Sequence, residues 1–232
     1  MPTINLLTED GELLDLGQLT AQATIDRERV GRISTYAELQ AAGCEWLEDR
    51  DDLIGYMPAF IALAEGYLSA ELRVREMEAS TLMTPVDGVT YLPQDLIEVI
   101  NITGKGNGNR SLQCISGHAA NDDFPFGSAG IAQAYSLVGS TIQLYPATTS
   151  GVRIHYYAEI PQLGDGLNTN WLLAKRPELY LRATLMQAAE FIKQNEEAAK
   201  HKALVDMMIS QMNRIDAMSR GRKRAAVRGV TP

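Results

Sequence analysis

The sequence predicts an α+β protein, mainly α: a helical bundle with an inserted antiparallel β module and an extended C-terminal tail. Three observations carry this. Apolar residues recur at helical spacing in two separated stretches, from Thr35 to Leu72 and from Pro177 to Met218. Between Val74 and Ile160 the period shortens to that of strands, with β-branched and aromatic residues in short runs bounded by turn residues. After Met218 the chain turns basic and loses nearly all its large apolar residues. The expected divisions are an N-terminal arm (1–34), the first helices of the bundle (35–74), the β module (75–161), a C-terminal helical hairpin (162–218) and a basic tail (219–232).

Residues before Thr35 mix short apolar pairs with acids and glycine; Leu19 to Val30 suit a helix. Thr35-Tyr36-Ala37-Glu38 matches a capping box, in which hydroxyl and carboxylate satisfy each other's backbone N–H groups. Tyr36, Leu39, Ala42 or Gly43, Trp46 and Leu47 then recur at helical spacing. Asp49-Arg50-Asp51-Asp52 is expected to interrupt this helix and cap a short next one. Pro58 suits the first turn of a longer helix, whose face holds Phe60, Ile61, Ala64, Tyr67, Leu68, Glu71 and Leu72. Arg73 and Arg75 follow near its C-terminal end, where cations favour the helix dipole.

Strands are predicted at Val89–Pro93, Leu96–Ile102, Ser111–Ile115, Thr141–Tyr145 and Val152–Tyr156. Gly104–Asn109 reads as a hairpin tip, and Val138–Thr141 and Ala147–Gly151 as tight connections. Short links between neighbouring strands imply antiparallel pairing. Pro161 closes the last strand, Asn168-Thr169-Asn170 supplies a turn and a helix cap, and Pro177 opens a long helix. That helix is apolar nearly all round, with only Thr184, Gln187, Glu190 and Gln194 as a polar strip, so it is expected at the centre of the bundle. A second helix after Asn195 places Leu204, Met208, Ile215 and Met218 on one stripe and should pack on the first. The two helical stretches must bury one another, because neither covers its own apolar faces.

A chain of 232 residues, 45% hydrophobic, buries a sizeable core as one domain or one domain with an insertion. The net charge of −8 argues against a general nucleic-acid binder. Five of the 21 cations stand at or beyond Arg220, leaving 16 against 29 acids, so the body carries −13. That asymmetry suggests docking of the tail on an acidic partner surface. The candidate docking residues are Arg220, Arg222, Lys223, Arg224 and Arg228. Cys44 and Cys114 are expected as two buried thiols in a reducing compartment. No metal spacing and no cofactor motif is present, since His118, His155 and His201 do not cluster with the cysteines. The start lacks a signal-peptide pattern and no apolar run approaches the ~20 residues that span a bilayer, so a soluble chain made in a cytoplasm is expected.

Catalytic readings find little footing. The Gly-rich run at 104–109 lacks the P-loop pattern. Glu45, Asp49, Asp51 and Asp52 form the densest acidic cluster, which helix capping and solvation explain without chemistry. No nucleophile elbow is present, His155 sits in an alternating strand as a structural or surface residue, and no catalytic residue is assigned.

Three stretches, in order, resemble the head-to-tail adaptor (connector) proteins of short-tailed bacteriophages. The first is Thr35-Tyr36-Ala37-Glu38-Leu39 with Trp46 to Leu53, Pro58 to Glu65 and Glu71 to Met77. The second is Tyr91-Leu92-Pro93-Gln94-Asp95-Leu96. The third is Tyr156 to Pro161, followed by Thr169 to Leu173 and Pro177 to Leu181. The resemblance implies a virion structural protein at the head–tail junction, synthesised in the host cytoplasm. It also implies a homo-oligomeric ring, typically of about twelve copies, bound to the portal protein. Such a ring extends the channel through which viral DNA passes and presents a platform to the tail nozzle or tail fibre protein. An acidic body suits a channel through which DNA must slide without sticking. The competing reading is a tail-associated cell-wall hydrolase using the Asp49–Asp52 cluster. A DNA-binding regulator is disfavoured by the −13 body. Deleting 219–232 is expected to leave the melting temperature nearly unchanged while abolishing attachment, because that segment cannot fold alone.

Overall fold

The structure is a computed structural model that describes residues 33–227, except 48, 49, 106, 107, 109, 126 and 127. It is 49% helical with 24% strand in two sheets, so the expected mixed, mainly α class holds. The N-terminal arm expected over 1–34 lies almost entirely outside the described residues.

Helix α1 (Tyr36–Trp46) begins at the expected capping box: Glu38 N–H donates to Thr35 Oγ1 at 3.3 Å, while Glu38 Oε2 accepts from Thr35 N–H at 3.0 Å and Ser34 N–H at 2.7 Å. A 3₁₀ turn (Asp51–Tyr56) leads into α2 (Met57–Glu71), which carries Pro58 in its first turn. Asp49 of the acidic cluster, expected to cap this turn, lies outside the described residues. Arg50 is the N-cap residue of the 3₁₀ turn and makes no side-chain cap; it holds Asp52 instead, in paired contacts at 2.7 Å. Arg73 takes the expected place beyond α2, with Nη1 donating to the carbonyls of Ser69, Ala70 and Leu72 at 2.6–3.1 Å. It thereby satisfies carbonyls that the helix end leaves open.

The β module holds β1 (Glu78–Met83), β2 (Val89–Tyr91), β3 (Leu96–Gly104), β4 (Gln113–Cys114), a short helix α3 (Gly117–Asp123), β5 (Ala134–Val138), β6 (Thr141–Tyr145) and β7 (Val152–Ala158). They form two sheets, ordered β1–β7–β3 and β2–β6–β5–β4. Pairing is antiparallel except between β4 and β5, which run parallel. Buried residues of both sheets share one core around Ile102, Ile142, Leu144 and Ile154. The β5–β6 connection is the expected tight one, with Gly139 at φ 58°. Ala147–Gly151, by contrast, carries the chain from one sheet to the other. Strands β1 and β5 and helix α3 were not anticipated. Glu-Ala-Ser-Thr-Leu-Met has weak strand composition, and β1 exists because six of its residues pair in register with β7. Cys114 is exposed rather than buried, and Cys44 is half-buried.

The chain leaves the module through Ile160 and Leu163 and enters α4 (Trp171–Lys175), capped by Asn170 Oδ1, which accepts from Leu173 N–H at 2.9 Å. Helices α5 (Pro177–Phe191) and α6 (Asn195–Val227) follow. One core joins Leu39 of α1, Ile61 and Leu68 of α2, Tyr180 and Leu185 of α5, and Val205 and Ile209 of α6. The two separated helical stretches therefore bury each other, with α5 central as its composition requires. Thr184, expected on the polar strip, is buried and donates to Tyr180 O at 3.0 Å. On α6 the deepest residues are Val205, Ile209 and Asp216, with Met208 and Met212 partly buried against the same core; of the stripe expected from Leu204, Met208, Ile215 and Met218, Met208 packs, Leu204 is half-buried and the other two do not pack. Ile215 and Met218 face outward instead.

Candidate docking site at the end of the long helix

The expected site was a basic tail separate from the fold. Helix α6 runs unbroken past Met218 to Val227, and its first tail cation is drawn back onto the body. Arg220 Nε donates to Asp216 Oδ2 at 2.6 Å, Nη1 donates to Tyr157 Oη at 2.9 Å, and Nη2 lies 2.7 Å from Glu78 Oε1. Asp216 also accepts from Arg75 Nε at 2.7 Å through its other oxygen. Arg73 and Arg220 each stand 5.8 Å from the centre of the Tyr157 ring, a geometry in which a guanidinium gains from the ring quadrupole. Asn213 adds two bonds to the end of α2: its Oδ1 accepts from Arg73 N–H at 2.9 Å and its Nδ2 donates to Glu71 O at 3.0 Å. This cluster ties α2, β1 and β7 to the C-terminal half of α6. Arg222, Lys223 and Arg224 lie on the final turns of that helix, and Arg228 lies outside the described residues.

The sequence signal for the cluster was the i,i+4 spacing of Asp216 and Arg220, which puts both on one helical face. Its partners Arg75, Glu78 and Tyr157 are remote in sequence and could not be read.

A second polar cluster lies inside the bundle. Glu65, only 2% exposed, accepts from Tyr180 Oη at 2.5 Å and from Leu163 N–H at 2.8 Å. Asn170 Nδ2 donates to Tyr180 Oη at 2.9 Å and to Pro161 O at 2.8 Å, and Ser69 Oγ accepts from Ile160 N–H at 3.2 Å. Together these fix the segment leaving the β module against α2 and α5. Burial, then the Glu65 contact, pushes the Tyr180 hydroxyl up. Burial also pushes the Glu65 carboxyl up, against the hydrogen bonds from Tyr180 and Leu163 that pull it down.

A carboxyl with a raised folded pKa binds its proton better in the native state, so its contribution to stability declines as pH rises from the unfolded value toward the folded one. Glu38 works in the opposite sense: bonds from Ser34 hold it below the ordinary range, and its contribution is lost as pH falls. Glu65→Gln isolates the first effect, because it keeps an acceptor oxygen for Tyr180 and Leu163 and cannot titrate. In urea denaturation between about pH 4 and pH 8, wild type should lose stability relative to Glu65→Gln as pH rises. A difference that stays constant across the range would contradict this.

Asp49 lies outside the described residues, and Asp52 is exposed, its carboxyl held below the ordinary range by the hydrogen bond from Arg50. A glycosidase acid requires the opposite shift.

Residues 34–229 match the family model described as SU10 adaptor protein. The chain belongs to that family. No curated protein matches it. The family covers both clusters and every described helix, and the phage head-to-tail adaptor identity expected from the residues holds. Adaptor membership means a structural component of the virion at the head–tail junction, associated with portal and tail proteins.

Proposed function

We propose that this adaptor assembles as a homo-oligomeric ring, of about twelve copies, below the portal, where it extends the DNA channel and anchors the tail nozzle or tail fibre proteins. The family match over residues 34–229 is the observation that carries this reading. The charge distribution supports it. A net charge of −8 suits a channel wall past which DNA slides without specific binding, and the cations gathered at the end of α6 suit an acidic portal surface.

The docking role falls on Arg222, Lys223, Arg224 and Arg228, with Arg220 serving to hold the helix that presents them. Each exposed pair contributes only ~0.2–1 kcal/mol, but repetition around a ring multiplies the contacts. The placement of Arg220 changes the test. Deleting 219–232 would remove its bonds to Asp216, Glu78 and Tyr157 along with the docking cations and so would lower stability too. Deleting 221–232 separates the two effects. That truncation should leave the melting temperature within about 2 °C of the full chain, while attachment to portal-bearing heads falls sharply. Attachment of the full chain should weaken as salt rises. If the truncated chain attaches as well as the full one, the docking surface lies elsewhere.

A further inference from the structure

Up to its last residue, Glu71, the outward face of α2 carries no charge. Between Asp52 and Glu71 the only carboxyl or cationic side chain is Glu65, which is buried. This 20-residue segment has mean hydropathy 1.3, high enough by length and composition to cross a bilayer, contrary to the expectation that no run approaches that. Only 44% of it is buried inside the bundle. Its solvent side shows Ala59, Ala62, Leu63, Gly66 and Ala70, with Leu63 58% exposed. A surface helix ordinarily turns its charges toward water; here the water-facing side is smooth and apolar.

Helix α6 has the complementary peculiarity. Among its exposed residues from Ala203 to Met218, Arg214 is the single charge. Met207, Ile215 and Met218 project from it, each more than half exposed. Both faces belong to described residues, and neither is covered by the described residues of one copy. Helix α5 packs against α2 and against α6, so a single copy carries the two faces on different helices.

The internal bonds set the relative direction and height of α2 and α6. Tyr67 bonds Asp206, Arg73 bonds Asn213 and Arg75 bonds Asp216, so the two helices advance in the same direction. Rotation about an axis along these helices leaves height unchanged. The next copy's α6 then brings Met207 to the level of Gly66 and Ala70, and Arg214 to the level of Glu71. Glu159 stands at that end too, beside a groove of about 320 Å³ lined also by Gly66, Ala70, Leu96 and Ile97. Both Glu71 and Glu159 are exposed. The flexible methionine would enter a surface of small residues, and the one cation would meet two acids.

We propose that the outward face of α6 in one copy docks on the outward face of α2 in the next, with Met207 over Gly66 and Ala70 and Arg214 against Glu71 and Glu159. A contact between two different patches is heterologous, and such contacts close into rings when the rotation permits. The inference rests on the ring reading above and supplies the surface that would make it.

The test pairs a cross-link with a measurement of assembly. In a Cys44→Ala/Cys114→Ser background, Gly66→Cys and Met207→Cys are introduced together. Gly66 has open space where a side chain would go, so the fold should tolerate the change. A short bismaleimide should convert the protein into a ladder of covalent multimers, both in the purified assembly and in particles carrying the variant. Either single cysteine should give no ladder. Met207→Asp should leave the circular-dichroism spectrum unchanged and weaken assembly at least tenfold, and Arg214→Glu should weaken it in a way that Glu159→Arg partly restores. Assembly without a ladder, and indifferent to Met207→Asp, would overturn this surface and leave the ring reading standing. A chain that native mass spectrometry finds monomeric alone, and that gives no multimers in particles, would overturn both.

Discussion

Replacing Tyr180 by alanine should cost about 3–5 kcal/mol of folding stability, the range for truncating a buried aromatic side chain. Tyr180 is fully buried in the first turn of α5 and is among the largest side chains enclosed in the core. Its ring fills space that α2, α4 and α5 share, and its hydroxyl sits between Asn170 Nδ2 and Glu65 Oε1. Alanine therefore opens a cavity and leaves a buried amide and a buried carboxyl each short of a partner. Tyr180→Phe keeps the ring and removes only the hydroxyl, so it should cost about 1–3 kcal/mol, the price of polar groups left unmatched. Urea denaturation of both variants at one pH measures the two parts. Equal losses would mean that the hydroxyl, not the ring, dominates. A loss below about 1 kcal/mol for alanine would mean that the site collapses and the cluster does not anchor the bundle.

Asp216→Ala should cost about 2–3 kcal/mol and act at a different place. Asp216 is 6% exposed and receives a guanidinium on each oxygen, Arg75 at 2.7 Å and Arg220 at 2.6 Å. Without it two cations face each other. The full penalty for a broken buried pair is not expected, because both arginines reach water and can be partly resolvated. Arg220→Ala should cost less, about 1 kcal/mol, since Asp216 keeps Arg75 and the Glu78 contact is half-exposed. Hydrogen exchange distinguishes the mechanism: in Asp216→Ala the amides of α6 beyond Asn213 should lose protection, while those of α5 keep theirs. Uniform loss along both helices would show that the cluster supports the whole bundle. A loss confined to the end of α6, accompanied by weaker attachment, would support the proposed docking role of the cations beyond it.

Local chemistry was readable wherever a signal and its consequence lay within a few residues. The Thr35–Glu38 box, the Asn170 cap, Pro58 and Pro177 in first turns, Arg73 over the end of α2 and the tight Val138–Thr141 link all act over one turn of chain. The apolar girth of α5 likewise dictated its central place, since a helix without a polar face has nowhere else to go. The order of motifs was sufficient for the family.

Tertiary structure decided what depends on partners remote in sequence. Strand β1 is a strand because β7 pairs with it, and its own composition is neutral. The packed stripe of α6 runs through Val205, Met208, Ile209 and Met212 to Asp216 and leaves Ile215 and Met218 outside, because the surface offered by α5 and the polar bonds to Asn213 and Asp216 chose the face. Glu65 lies at helical spacing from Ile61 and Leu68, so its burial was implicit in the period of α2. Only Tyr180 and Leu163, more than ninety residues away, make that burial tolerable. Arg220 shows the same division. Composition alone assigns it to a free basic tail, whereas the positions of Asp216, Glu78 and Tyr157 turn it inward, within a helix that runs to Val227. Sequence thus determined the bundle helices, the caps at Thr35 and Asn170, the class and the family, because these follow from near neighbours and composition. The choice of face, the strand made by its partner and the capture of Arg220 required the assembled fold, because a charge or an apolar side chain has no fixed role until its surroundings are in place.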